Sequence, residues 1–234
     1  STHFTNANGM YDPDQYTTAR DMAILTQYAL KVPQFEKIAT TYQYNPSVPN
    51  IERHPNHDTW IWTHSNSMMD PEGDYYYAGA KGIKTGNLEL AGRNIVAMAS
   101  RDGNNYLAVL MKSPLNDAEG NNTFYHLTDA KTLFDWAFAH FSYQVILADT
   151  AEVGELQVKL AEGNDYVLAR PKEDFTILWY DEVDTSVIDK SRITWYKNTL
   201  EAPVEKDEPL GELQIIYSGE VLGTVEVVAV SGVK

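Results

Sequence analysis

The tightest constraint on how this chain can fold is a strand-like run punctuated by glycine, Ala80-Lys81-Gly82-Ile83-Lys84-Thr85-Gly86-Asn87-Leu88, with a further glycine at 79. Without β-carbons at 79, 82 and 86, another backbone or a ligand can approach the strand closely. Lys84, Thr85 and Gly86 then set an ammonium, a hydroxyl and an unobstructed backbone edge side by side, a combination suited to a carboxylate. Ala91-Gly92, the apolar run 95–100, Arg101-Asp102-Gly103 and the apolar run 106–111 follow. This order predicts strand, strand, turn, strand.

Around that unit the pattern divides the chain. Thr18-Ala19-Arg20-Asp21 fits a capping box, and Met22, Leu25, Ala29 and Val32 then fall on one face of a buried helix that stops at Pro33. Pro33 opens a short second helix, and 40–44 carries strand residue types. The segment 45–58, with three prolines and two histidines, reads as loop, as does the polar stretch 115–122. Leu127, Ala130, Leu133, Phe134, Ala137, Phe138 and Phe141 keep helical spacing and predict a long amphipathic helix across the three strands. From about residue 143 short β runs take over, at 145–147, 156–158, 175–180, 193–196, 213–217 and 225–228. Gly154, Gly163, Gly211, Gly219 and Gly223 are expected to turn the chain between them, giving an all-β sandwich.

Composition sets limits on function. With 234 residues, 43% of them apolar and 12% aromatic, the chain can bury one large core or two small ones. A formal net charge of −15 argues against nucleic acid or an anionic membrane surface as partner, because both demand clustered Lys and Arg. The absence of cysteine excludes disulfides and thiolate catalysis. No apolar run reaches the length of a membrane span and no signal segment stands at the start, which reads as a cut within a longer protein.

Three blocks in order resemble one family. Phe4-Thr5-Asn6-Ala7-Asn8-Gly9-Met10, then Tyr16-Thr17-Thr18-Ala19-Arg20-Asp21-Met22-Ala23, then the Lys84-Thr85-Gly86 region are similar to segments of the serine D-alanyl-D-alanine carboxypeptidases, the low-molecular-weight penicillin-binding proteins. Residues 60–69 resemble the segment in which an asparagine-containing turn leads to two aliphatic residues, places that Met68 and Met69 would fill. The resemblance implies an α+β fold: a partial β-lactamase/transpeptidase-like domain, antiparallel sheet with helices, over 1–142, and a small β-sandwich over 143–234. It implies an enzyme on the outer face of the bacterial cytoplasmic membrane that removes the terminal D-Ala from peptidoglycan stem peptides through an acyl-serine, with β-lactams as inhibitors and no cofactor or metal. Lys84 would help relay the nucleophile's proton. Thr85 would bind the substrate carboxylate, and the edge at Gly86 would pair with the substrate backbone.

Acyl transfer needs a nucleophilic serine, a base and oxyanion donors. The family's Ser-x-x-Lys occurs only as Ser231-Gly232-Val233-Lys234, after a strand and with no helix to place lysine under serine; Ser-x-Asn does not occur. The nucleophile is therefore expected outside this chain, and the chain alone is expected to be inactive. Asn87 and Leu88 stand where the family usually has an aromatic or histidine and then threonine. Where it often has an arginine near the start of the last helix, the best match is His126, a weaker carboxylate anchor whose alternative reading is an ordinary exposed helix histidine. His54, His57, Asp58 and His64 raise a zinc reading, but Pro55 and the spacing favour surface loop. Asp12, Asp14 and Asp21 read as turn and cap residues, and Tyr75-Tyr76-Tyr77 as half-buried β structure or a groove wall. An uncovered sheet is expected to drive self-association or to be covered by a missing N-terminal segment. Two further readings stay open: a non-catalytic cell-envelope binding module on the same scaffold, and a β-lactamase or endopeptidase relative.

Overall fold

The computed structural model describes residues 1–47, 52–53 and 60–234, and the chain divides into two units, Ser1–Ala139 and His140–Lys234. His54, His57 and Asp58 lie outside the described residues.

In the first unit, helix α1 (Ala19–Ala29) starts at Thr18, whose hydroxyl accepts the Asp21 N–H at 3.0 Å. Its buried face lies one step round from the expected one. Met22, Thr26 and Leu30 face inward, whereas Leu25 and Val32 are 45% and 48% exposed. A polar residue can occupy that stripe because the Thr26 hydroxyl donates to the Met22 carbonyl at 2.7 Å and needs no outside partner. Helix α2 (Pro33–Ala39) opens on its proline as expected. The strand residue types at 40–44 yield only a two-residue strand, β1 (Gln43–Tyr44), paired with β2 (Trp62–Thr63). A 3-10 turn, Ser67–Met69, then buries both methionines.

The centre of the unit is an antiparallel meander of β3 (Ala80–Leu88), β4 (Gly92–Arg101) and β5 (Asn104–Ser113), in that spatial order. Strand β3 is an edge strand. The β4–β5 connection at Asp102 and Gly103 has both residues at positive φ, 51° and 83°, the twist that a tight hairpin prefers. Period-two alternation sends β4 side chains to two cores. Ile95, Ala97 and Ala99 pack with Met68, Tyr77 and helix α3 (Tyr125–His140) through Leu127, Ala130 and Phe134. Val96 and Met98 pack with Ile83, Met22 and Leu30 on the opposite face. The meander is thus covered on both faces. Two expectations shift in detail: Leu133 of α3 is exposed, and Phe141 starts a strand instead of ending the helix. The three tyrosines at 75–77 lie on a turn, with Tyr77 buried against Phe134 and Tyr76 exposed.

The second unit is a β-sandwich. A six-stranded sheet has the order β10 (Asp189–Trp195), β12 (Pro209–Tyr217), β13 (Glu220–Ala229), β8 (Tyr166–Pro171), β7 (Gly154–Lys159), β11 (Leu200–Glu201). A two-stranded sheet pairs β6 (Phe141–Leu147) with β9 (Phe175–Tyr180). Strands β11 and β7 run parallel, and the other described pairs of this unit are antiparallel. Leu213, Ile215, Val225 and Val227 meet Ile146, Leu147 and Trp179 in one core. Ser218-Gly219 makes the β12–β13 turn, with φ of 49° and 85°. Gly211 and Gly223 do not turn the chain. They lie inside β12 and β13, where a β-carbon would stand 2.6 Å from the Thr194 carbonyl oxygen and 2.5 Å from the Phe175 ring. Close packing of neighbours, not a turn, requires glycine there.

Candidate active-site wall

The candidate site is built on the free edge of β3. Its three glycines have different tasks. A β-carbon on Gly79 would stand 2.2 Å from the Ser100 carbonyl oxygen, and one on Gly82, at φ +36°, 1.8 Å from the Ala39 carbonyl oxygen at the end of α2. Both therefore admit the protein's own backbone. At Gly86 the nearest neighbour would be Asn94 at 3.9 Å, an ordinary contact. Of the three, Gly86 is the one whose free side is open to a ligand.

The start of β3 is fastened by the segment before it. Asn66, fully buried, accepts the Met68 N–H at 3.0 Å and donates through its amide to the Gly82 carbonyl at 2.7 Å. His64 Nδ1 accepts the Asn66 N–H at 3.0 Å, which leaves Nε2 to face the Ile83 carbonyl at 3.3 Å. Both His64 nitrogens are committed to backbone, a structural task in place of the metal-ligand reading. Among the described residues no group of three or more His, Asp or Glu side chains gathers to hold a metal ion. The Ser65 hydroxyl lies 2.7 Å from the Thr85 hydroxyl. Neither Asn66 nor Ser65 was assigned a role from sequence; a Ser-Asn pair at the head of a turn before the glycine-rich strand was the available signal.

Lys84 is exposed, and its ammonium bends to donate to the Thr85 carbonyl. Beside it a groove of about 180 Å³ is lined by Thr17, Met22, Lys84, Thr85, Gly86 and Met111, among others. The register pairs Lys84 with Val96, Thr85 with Ile95 and Asn87 with Arg93.

His126 is not the exposed helix histidine that was the alternative reading. It is 6% exposed in the first turn of α3, and its Nδ1 has no hydrogen-bond partner. Burial, and then the positive charge of Arg93, lower its pKa from the usual 6.5, so it is neutral at pH 7. Arg93 was missed from sequence. Its guanidinium is 4.3 Å from the Phe124 ring centroid and donates to the side-chain amide oxygen of Asn122. A charged residue opening an otherwise apolar strand was the sign of it.

Comparisons with known proteins agree with this architecture. Residues 1–114 match the family model described as D-alanyl-D-alanine carboxypeptidase, and residues 141–234 match the C-terminal domain of penicillin-binding protein 5. The chain is 26% identical over 222 residues to a D-alanyl-D-alanine carboxypeptidase, DacA, of Haemophilus influenzae, covering 94% of this chain and 50% of that protein. It is 24% identical over 234 residues to DacF of Bacillus subtilis, covering all of this chain and 55% of that one. The chain thus spans about half the length of the curated relatives it matches. Among solved structures, penicillin-binding protein 5 of Haemophilus influenzae aligns with 99% of this chain and 61% of its own, at TM-score 0.57 and 24% identity. A peptidoglycan synthesis regulatory factor of Streptococcus pneumoniae aligns with 97% and 60%, at TM-score 0.59 and 21% identity. These structural likenesses establish the fold.

Proposed function

We propose, on the premise that this chain belongs to the low-molecular-weight penicillin-binding proteins of the D-alanyl-D-alanine carboxypeptidase family, that it supplies one wall of a carboxypeptidase site acting on peptidoglycan stem peptides. The observation that carries the proposal is the edge strand β3. There Lys84, the Ser65-supported Thr85 hydroxyl and the open side of Gly86 come together. A peptide ending in D-Ala-D-Ala adds along this edge as a strand, with its backbone pairing near Gly86 and its terminal carboxylate at Thr85. A serine oxygen attacks the penultimate carbonyl carbon, its proton passes to a neighbouring base, and the bond to the terminal D-alanine nitrogen breaks as that nitrogen is protonated. Water then hydrolyses the ester. Lys84 places positive charge beside the reacting atoms, which favours the developing oxyanion. His126 belongs to the carboxylate end in this reading, as a neutral imidazole.

The nucleophile belongs to sequence outside this chain, and the 234 residues alone are inactive. The site works on the outer face of the bacterial cytoplasmic membrane; among the described residues no helix is long and apolar enough to cross a membrane. The peptidase portion covers about 1–142 and the sandwich 143–234, a division supported by the separation into Ser1–Ala139 and His140–Lys234. The sheet expected to be uncovered has both faces packed; the exposed apolar side chains are instead on the helices, Ile24 and Tyr28 of α1 and Ile38 of α2, at 59%, 70% and 75%, and these support self-association or covering by a preceding segment. A clean monomer of the 234-residue chain in light scattering would count against self-association.

The test is intact mass spectrometry after incubation with benzylpenicillin, on the full-length gene product and on the 234-residue chain. A covalent adduct on the longer protein alone is expected. An adduct on neither would overturn the carboxypeptidase reading in favour of a non-catalytic binding module.

A further inference from the structure

The β3–β4 hairpin carries apolar side chains where a surface turn ordinarily carries polar ones. Leu88, at the end of β3, is 43% exposed and Leu90, on the turn, 68%, with the exposed carboxylate of Glu89 between them. Among the described residues no salt bridge engages Glu89. Leu88 is unshielded because its direct partner on β4 is Gly92. That position has to be glycine: its φ is +67°, and a β-carbon there would stand 2.7 Å from the Ser113 carbonyl oxygen. The tip is nonetheless braced. The Ala91 N–H donates to the Leu88 carbonyl at 3.1 Å, and the Asn94 side-chain amide ties three backbone groups together, donating to the Ala91 and Gly92 carbonyls at 3.1 Å each and accepting the Lys112 N–H at 2.8 Å. Leucines on a braced turn lose little freedom when a ligand covers them.

This hairpin continues the candidate wall. No register shift interrupts β3 between Ile83 and Leu88, so Lys84, Gly86 and Leu88 follow one another on one side of the strand. Lys84 and Gly86 line the groove beside β3, and Leu88 comes next on that side. A peptide whose terminal carboxylate sits at Thr85 and whose backbone pairs near Gly86 runs along the edge toward Leu88. At a rise of about 3.4 Å per residue on both strands, the residue third from its end comes beside Asn87 and Leu88, and a long side chain there reaches the turn. We propose that Leu88, Glu89 and Leu90 form a subsite for this third residue, one that takes a long unbranched side chain ending in an amine. Its methylenes lie on the two leucines and its ammonium meets the Glu89 carboxylate. Apolar contact supplies most of the discrimination, since an exposed ion pair contributes little.

This inference rests on the carboxypeptidase reading, and the experiment separates the two. The full-length gene product is offered three Nα-acetylated peptides ending in D-Ala-D-Ala that differ only in the residue before: lysine, norleucine, which has the chain without the amine, or glycine, which has neither. kcat/KM for D-alanine release is expected to be about tenfold higher for norleucine than for glycine, and about twofold to threefold higher again for lysine. Leu88→Ser is expected to bring the norleucine-to-glycine ratio down to about two, and Glu89→Gln to bring the lysine-to-norleucine ratio to about one. Equal rates for the three peptides, or equal slowing of all three by Leu88→Ser, overturn the subsite while the carboxypeptidase reading stands. A lysine preference that persists in Glu89→Gln overturns the amine end of it. A benzylpenicillin adduct without release from any of the three peptides also overturns the subsite, and absence of both adduct and release removes both readings. Should Leu88→Ser fail to fold, Leu90→Ser, on the turn itself, is expected to halve the norleucine-to-glycine ratio at least, and an unchanged ratio overturns the proposal.

Discussion

The two units solve the problem of covering a sheet in different ways. In the sandwich, seventeen buried apolar residues form a single cluster between two sheets. In the first unit, the described buried residues fall into clusters of nine and three on opposite faces of a three-stranded meander. Exposed apolar side chains occur in both units, Tyr28 at 70% and Ile38 at 75% in the first and Leu160 at 83% in the sandwich. The sandwich closes its own core by pairing sheet with sheet. The meander depends on helices from elsewhere in the sequence, and it leaves one edge, β3, free to accept a strand. What makes the first unit less self-contained is also what makes it suitable for binding.

The sharpest way to test that contrast is to compare the glycines. Gly82→Ala drives a β-carbon into the Ala39 carbonyl oxygen and should cost at least about 4 kcal/mol, with the first unit lost from the urea transition. Gly86→Ala meets only Asn94 at 3.9 Å and should leave stability within about 0.5 kcal/mol while weakening strand addition at the edge. If both substitutions cost the same stability, the open side of Gly86 is not open.

Next in size, Leu213→Ala removes a fully buried side chain of the single sandwich core and should cost about 3 kcal/mol. Hydrogen exchange read by mass spectrometry should then speed up across 209–229. Protection left unchanged there would mean that the sandwich core is not the cooperative unit described.

A smaller effect is expected at Asn66, where one buried amide supports both the Met68 turn and the Gly82 carbonyl. Asn66→Ala should cost about 2 kcal/mol, with faster exchange in 80–84 and no change in the sandwich. A neutral result would show that β3 is held by its ladder to β4 alone.

The last difference emerges only in alkali. Burial, and then the Asp135 carboxylate, push the Tyr77 phenol from its usual value of 10.0 up to about 12. A pKa raised on folding contributes stability that is full below pH 10 and is lost as pH rises through about 12. Urea titrations at successive pH values should therefore show wild type losing its advantage over Tyr77→Phe across this window. Parallel curves would show that the phenol ionises equally well folded and unfolded.

Much of this architecture was legible beforehand because its signals are local. The glycine-punctuated run, the two apolar runs after it and the residues at 175–180 became strands where alternation and residue type placed them. Helix α3 followed its 3.6-residue period, and Ser218-Gly219 its turn chemistry. Strand β8 passed unnoticed, since Tyr-Val-Leu-Ala-Arg-Pro ends in a proline that weakens a strand reading. Helix α1 turned a different face inward because Thr26 satisfies its hydroxyl within the helix, which a hydrophobic period cannot register.

For the candidate site the division is similar. Sequence determined that Lys84, Thr85 and Gly86 lie in succession on a strand whose glycines permit close approach. Tertiary structure decided that Gly79 and Gly82 spend that permission on the protein's own backbone, that His126 is buried and neutral, and that Arg93 stands across from Asn87. The physical reason is register: alternation along one strand is set by neighbours in sequence, but which side chain lies opposite on the next strand depends on the turn between them and on bulges, and a shift of one residue would send Arg93 to the other face.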